Sequence, residues 1–193
     1  MFCKPTTSQG FTLTEAMVTL ALFATIATFA APSFSDLMIK YRIKAQTDQL
    51  YSALYTARIH AVDSRHQTVL CPSTDGFSCN TSWEHDWILF EDRNENKQRD
   101  TDEPLISTLS GSHPSISTSY HVRHVAFSRA GSTSNFGTFT ICPPDRSADK
   151  ANAVILSISG RPRYAVDSNN DGIKESGKNS NISCAQASAT QSS

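Results

Sequence analysis

The chain has 193 residues, of which 38% are hydrophobic and 18% charged, enough for one globular domain with accessory segments and too few for two large cores. Its formal net charge of −1 hides an asymmetry: residues 11–103 carry 8 Lys and Arg against 13 Asp and Glu, net −5, and residues 104–193 carry 8 against 5, net +3. Only the last half is suited to a polyanion.

The first ten residues, MFCKPTTSQG, are polar and end at Gly10, and the apolar run FTLTEAMVTLALFATIATFAAPSF follows. A secretory signal carries its apolar region before the cut and discards it. Here the polar stretch comes first, so the apolar run would be retained. Residues 16–34 form 19 positions without a charge, close to the roughly 20 needed to span hydrocarbon. Lys4 on one flank and Lys40, Arg42 and Lys44 on the other pull in opposite directions and do not fix orientation. Glu15 lies in the first turns of this apolar helix, where an unpaired carboxylate is costly and calls for a cation.

The string G-F-T-L-T-E over residues 10–15, the apolar helix and Pro32 together resemble the prepilin peptidase site of type IV pilins and type II secretion pseudopilins. The resemblance implies cleavage after Gly10, N-methylation of the new Phe11 amine, and pairing of Glu15 with the N-terminal amine of a neighbouring subunit. It implies that the helix bends or melts near Pro32. It also implies a single pass through a bacterial inner membrane with the head in the periplasm, and a pilus filament after assembly.

Beyond Pro32, Leu37, Tyr41, Ile43, Leu50, Leu54, Ala57 and Ala61 recur mostly at three- and four-residue steps, which predicts one helix to about Arg65 whose second half packs against the head. After Gln67 the pattern changes to short β-branched and aromatic runs at 68–71, 87–90, 105–109, 122–127, 137–142 and 153–158, separated by turn residues. They predict antiparallel β-structure. The tail from Ala185 is small and polar, and disorder is expected there.

With Cys3 in the leader, Cys71, Cys79, Cys142 and Cys184 remain, an even number after a membrane span, which suggests disulfides in an oxidising compartment. Cys71 with Cys79 would close a small loop, and Cys142 with Cys184 would tie the C-terminal segment to a strand. Four cysteines allow three pairings.

Residues 83–106, W-E-H-D-W-I-L-F-E-D-R-N-E-N-K-Q-R-D-T-D-E-P-L-I, are similar to the strand and turn of the GspH/FimT/FimU branch of minor pilins and pseudopilins. Within them Asp92, Asn94, Asn96, Asp100 and Glu103 take the first, third, fifth, ninth and twelfth places of an EF-hand-like loop, but Lys97 stands where Gly is wanted. Asp167, Asn169, Asp171 and Gly172 open a second such loop, with Lys178 where the bidentate Glu belongs. Asx-rich stretches make turns by bonding their own backbone, and no metal is assigned to either. The six His residues have no metal spacing, and His121 and His124, three apart in an expected strand, would face opposite sides of it. No nucleophile elbow, phosphate loop or dinucleotide fingerprint occurs. Neither enzymatic activity nor a cofactor is expected.

S-G-R-P-R-Y, residues 159–164, follows the last apolar run. In an extended chain Arg161 and Arg163 project the same way and can reach consecutive phosphates, with the Tyr164 ring free for stacking or for packing. The alternative is a solvated turn. G-R-x-R near the C-terminus resembles the motif by which FimT-type minor pilins bind DNA in natural transformation. Arg161 and Arg163 carry over, with Arg123, Arg129, Arg146 and Lys150 as auxiliary contacts.

The expectation is therefore an α+β pilin-like fold: leader 1–10, N-terminal helix 11–65 with its transmembrane part over 11–36, β-rich head 66–184 and tail 185–193. Its function would be that of a type IV minor pilin, incorporated into the filament and binding extracellular DNA for uptake. The implied partners are other major and minor pilins, the prepilin peptidase, the inner-membrane assembly machinery, double-stranded DNA, and membrane lipid before assembly. The competing expectation is a structural minor pilin or type II secretion pseudopilin that primes filament assembly without DNA.

Overall fold

A computed structural model describes residues 10–111, 113–177 and 180–184, without the side chains of residues 29–33. The leader up to residue 9 and the expected disordered tail lie outside the described residues. In chain order the elements are α1 (Leu13–Ser64), β1 (Gln67–Pro72), β2 (Trp87–Asp92), β3 (Leu105–Leu109), β4 (Ser117–Ser119), β5 (Val125–Phe127), β6 (Gly137–Cys142), β7 (Asn152–Leu156), β8 (Pro162–Tyr164), β9 (Glu175–Gly177) and β10 (Ser180–Asn181).

α1 contributes to both compact units into which the chain divides, residues 1–38 and 39–193. Thr12 caps its start by accepting the Glu15 N–H on Oγ1 at 3.3 Å, the T-x-x-E spacing of a capping box. Its end comes at Ser64, after which Arg65 turns left-handed at φ 59°. The expected melting near Pro32 is not found, since the helix runs unbroken from Leu13 to Ser64. Proline has no backbone N–H, so one i→i−4 hydrogen bond is missing at that point of the continuous helix. In the first unit the hydroxyls of Thr19, Thr25 and Thr28 are returned to their own helix, donating to Ala16 O, Leu22 O and Thr25 O at 2.7 to 2.9 Å, so these three leave no unmet donor on an apolar surface. Among the described residues no helix is long and apolar enough to cross a membrane. The expected span over 11–36 includes residues 29–33, outside the described side chains.

In the second unit α1 buries Ile43, Gln46, Thr47, Leu50, Ala53, Leu54, Ala57 and Ala61, the three- and four-residue steps of one helix face. Leu37 and Tyr41 do not belong to that face and stand exposed at 47% and 62%. Two antiparallel sheets, ordered β3-β2-β1-β5 and β4-β6-β7-β8, supply the rest of the core, and β10-β9 forms a small third sheet. Leu70, Leu89 and Phe127 of the first large sheet and Phe139, Ile141, Val154 and Leu156 of the second join the α1 face in one cluster. Each fully buried aliphatic or aromatic side chain of this kind contributes about 1.5–3 kcal/mol. The opposite face of the first sheet packs Val69, Cys71, Ile88 and Phe90 under the Cys71–Cys79 loop. Trp83 and Trp87 are core residues: Trp87 Nε1 donates to Trp83 O, and Trp83 Nε1 to Val122 O.

Candidate functional site

β7 and β8 pair antiparallel with Ile155 opposite Arg163 and Leu156 opposite Pro162. Between them Gly160 N–H donates to Ser157 O at 2.8 Å and Ser157 N–H to Arg161 O at 3.2 Å, with the Ser157 hydroxyl accepting the Arg161 N–H. The turn is pinned from two sides. Thr133 N–H donates to Ile158 O at 3.0 Å, and Arg58 on α1 places Nε within 3.2 Å of Gly131 O and 3.3 Å of Ser159 O. Gly160 has φ 72°, and a Cβ there would stand 1.9 Å from Gly131 O. Only glycine lets the 128–132 and 157–161 turns meet so closely.

Arg161 and Arg163 are exposed on either side of buried Pro162, and neither has an ion pair or side-chain hydrogen bond among the described residues. Because Pro162 and Tyr164 lie opposite the core residues Leu156 and Val154, Arg163 points to the other face, as strand alternation requires. Tyr164 is not presented with the arginines: its ring stacks on Tyr51 of α1, centroids 4.5 Å apart. Of the auxiliary cations, Arg123 and Arg146 are exposed, Arg129 is paired with Glu95 at 2.8 Å, and Lys150 with Asp145 at 3.3 Å. Arg58 had no signature in the sequence, since its partners lie 73 and 101 residues away.

At the N-terminus Gly10, Phe11 and Glu15 are exposed, Phe11 at 80%. Glu15 has no ion pair among the described residues. The disulfides are Cys71–Cys79, with Cα atoms 5.6 Å apart, and Cys142–Cys184, at 5.8 Å. His121 and His124 are not in a strand, because β5 begins only at Val125; burial lowers the pKa of His124, with Lys97 and Arg123 adding to the effect. Both Asx-rich loops are turns in which carboxylates accept local N–H groups. Burial raises the pKa of Asp92 against those bonds. Among the described residues no three His, Cys, Asp or Glu side chains are gathered as a metal cluster.

Residues 46–160 match the family described as Type II transport protein GspH, and residues 6–31 match the prokaryotic N-terminal methylation motif. No curated protein matches the chain. The fold is similar to the crystal structure of the type IV minor pilin FimU from Pseudomonas aeruginosa, at 17% identity and TM-score 0.53, over 65% of this chain and 90% of that one. A weaker likeness is to the minor pseudopilin EpsH of the type 2 secretion system of Vibrio cholerae, at 12% identity and TM-score 0.44, over 63% and 94%. At these identities the likeness concerns the fold alone, and the first of the two carries it.

Proposed function

The chain belongs to the GspH family of type II transport proteins, and we propose that it is a minor pilin of a type IV pilus that captures DNA on Arg161 and Arg163. The coarser assignment, a minor pilin or pseudopilin of a type IV pilus or type II secretion system, follows from the family and the methylation motif. We propose further that prepilin peptidase cuts between Gly10 and Phe11 and that Phe11 is then methylated. The first half of α1 exposes Leu13, Leu20, Phe23 and Ile26, a surface too apolar to be left in water. Inner-membrane lipid covers it before assembly and neighbouring pilins afterwards, where Glu15 meets a neighbour's N-terminal amine.

One observation carries the DNA reading: two unpaired, exposed guanidinium groups flank an inward-facing proline on a strand end held by Gly160 and Arg58. Such a pair suits phosphates, contacts that position a protein on a duplex without reading its sequence. Full-length protein in neutral detergent is therefore expected to bind unrelated duplexes alike, with Kd on the order of 10⁻⁴–10⁻⁶ M near physiological salt. Replacing both arginines by Ala should weaken binding and reduce the salt slope by about one unit per lost phosphate contact. A folded double variant that binds like the parent across the salt series refutes the assignment. The family's description as a type II transport protein favours a second reading, a secretion pseudopilin that primes assembly without DNA. Absence of parent binding at low salt supports that one.

A further inference from the structure

The two Asx-rich loops share one backbone design. In the first, Asp92 accepts the Asn96 N–H at 3.1 Å and the Lys97 N–H at 2.9 Å, and Glu95 and Lys97 are left-handed at φ 62° and 64°. In the second, Asp167 accepts the Asp171 N–H at 3.2 Å and the Gly172 N–H at 2.9 Å, and Asn170 and Gly172 are left-handed at φ 61° and 89°. A buried glutamate completes each by accepting the N–H that follows the leading aspartate: Glu103 from Arg93 at 2.7 Å, Glu175 from Ser168 at 2.9 Å.

The loops differ at the other glutamate oxygen. Glu103 Oε2 accepts the Asp100 N–H at 3.0 Å. Glu175, only 4% exposed, turns its carboxyl into the loop through the Ser168 bond, and its Oε1 has no hydrogen-bond partner. A buried carboxyl oxygen left without a partner is unfavourable, and a cation would satisfy it. The nearest basic side chain in sequence, Lys174, donates instead to Ala151 O at 3.3 Å. Among the described residues no ion pair reaches Asp167, Asp171 or Glu175.

We propose that residues 167–175 form a calcium site. Its donors are the carboxylates of Asp167, Asp171 and Glu175, the amide oxygen of Asn169 and the backbone carbonyl of Ile173, at alternate positions from the first to the ninth. All are oxygens, and calcium accepts such sets with flexible geometry, whereas magnesium demands a near-ideal octahedron. The glutamate sought at the twelfth position from sequence is replaced by one at the ninth. Gly172 occupies the turn position with open space around it, where the first loop carries Lys97. Among the described residues the carboxylates are not gathered as a metal cluster, and Asp171 Oδ2 accepts the amides of Asn169 at 3.0 Å and Asn181 at 2.7 Å. Calcium displaces those two donors, and Asn169 Oδ1, which already accepts the Asp171 N–H at 2.9 Å within the loop, keeps a second lone pair for the ion. The backbone N–H bonds persist, since each carboxylate oxygen has a second lone pair.

The test uses full-length protein in neutral detergent, stripped with EDTA and titrated with calcium chloride, with bound calcium counted after equilibrium dialysis and Tm followed in parallel. One ion per chain is expected, with Kd on the order of 10⁻⁴–10⁻³ M as in extracellular modules, and a Tm that rises with calcium. Glu175→Gln, which keeps the Ser168 acceptor, and the exposed Asp171→Asn should each weaken binding at least tenfold. Asp100→Asn, in the first loop, should leave it unchanged. The proposal is overturned if no calcium binds at tenfold above that range, if both second-loop variants bind like the parent, or if Asp100→Asn alone removes the response.

Discussion

Asp75 accepts N–H groups from Ser78 at 2.7 Å and Phe77 at 2.8 Å and the Ser73 hydroxyl at 2.9 Å, and these bonds hold its pKa well below the usual carboxylate range. Because the folded pKa is the lower one, the stabilisation is present above the unfolded value of about 3.9 and is lost as pH falls through the folded value. Asp75→Asn should therefore flatten the loss of stability between pH ~4 and pH ~2, read from urea unfolding along that range. An unchanged slope would show that Asp75 titrates alike in both states. Arg161 and Arg163 were legible as residues because a two-residue spacing survives any extended conformation. Tyr164 was legible only as a ring: the register opposite Val154 sends it to Tyr51, a fact that no local pattern contains.

The elements divide by their hydrophobic content. α1 could be read from its periodicity and the strands rich in Val, Ile, Leu and Phe from their composition between turn residues, whereas β4 (Ser-Thr-Ser), β9 (Glu-Ser-Gly) and β10 (Ser-Asn) have no apolar run and exist through pairing with neighbours. The junction of the 128–132 and 157–161 turns was equally invisible, and it makes a sharp prediction. Gly160→Ala must relieve both a 1.9 Å clash and a left-handed backbone, and a loss of about 1–3 kcal/mol is expected. Gly177→Ala, with nothing within 4 Å, is the control and should be nearly neutral by chemical denaturation. Equal effects of the two would deny the contact. Arg58→Ala should speed amide exchange at Thr133 and Gly160, and unchanged rates would separate Arg58 from the turn.

At the scale of the molecule, the α+β fold was legible because one apolar helix followed by short β-runs allows few alternatives, and the likeness to FimU agrees with it. The Cys142–Cys184 bridge closes a separation of 42 residues across the second sheet and the Asx loop, so replacing both cysteines by Ala should lower stability by about 2–4 kcal/mol. A loss below 1 kcal/mol, on the order of the scatter between surface substitutions, would mean that β9 and β10 hold that segment without it. The proposed DNA contact concerns the head alone, whereas a minor pilin or pseudopilin is first of all a filament subunit. The most direct test is intact-mass and N-terminal analysis of sheared, purified filaments from cells producing the full-length chain. A filament-borne polypeptide that begins at N-methylated Phe11, and that is lost from filaments though still cleaved in Glu15→Ala, is expected. A chain confined to the membrane fraction and still beginning at Met1 would contradict it.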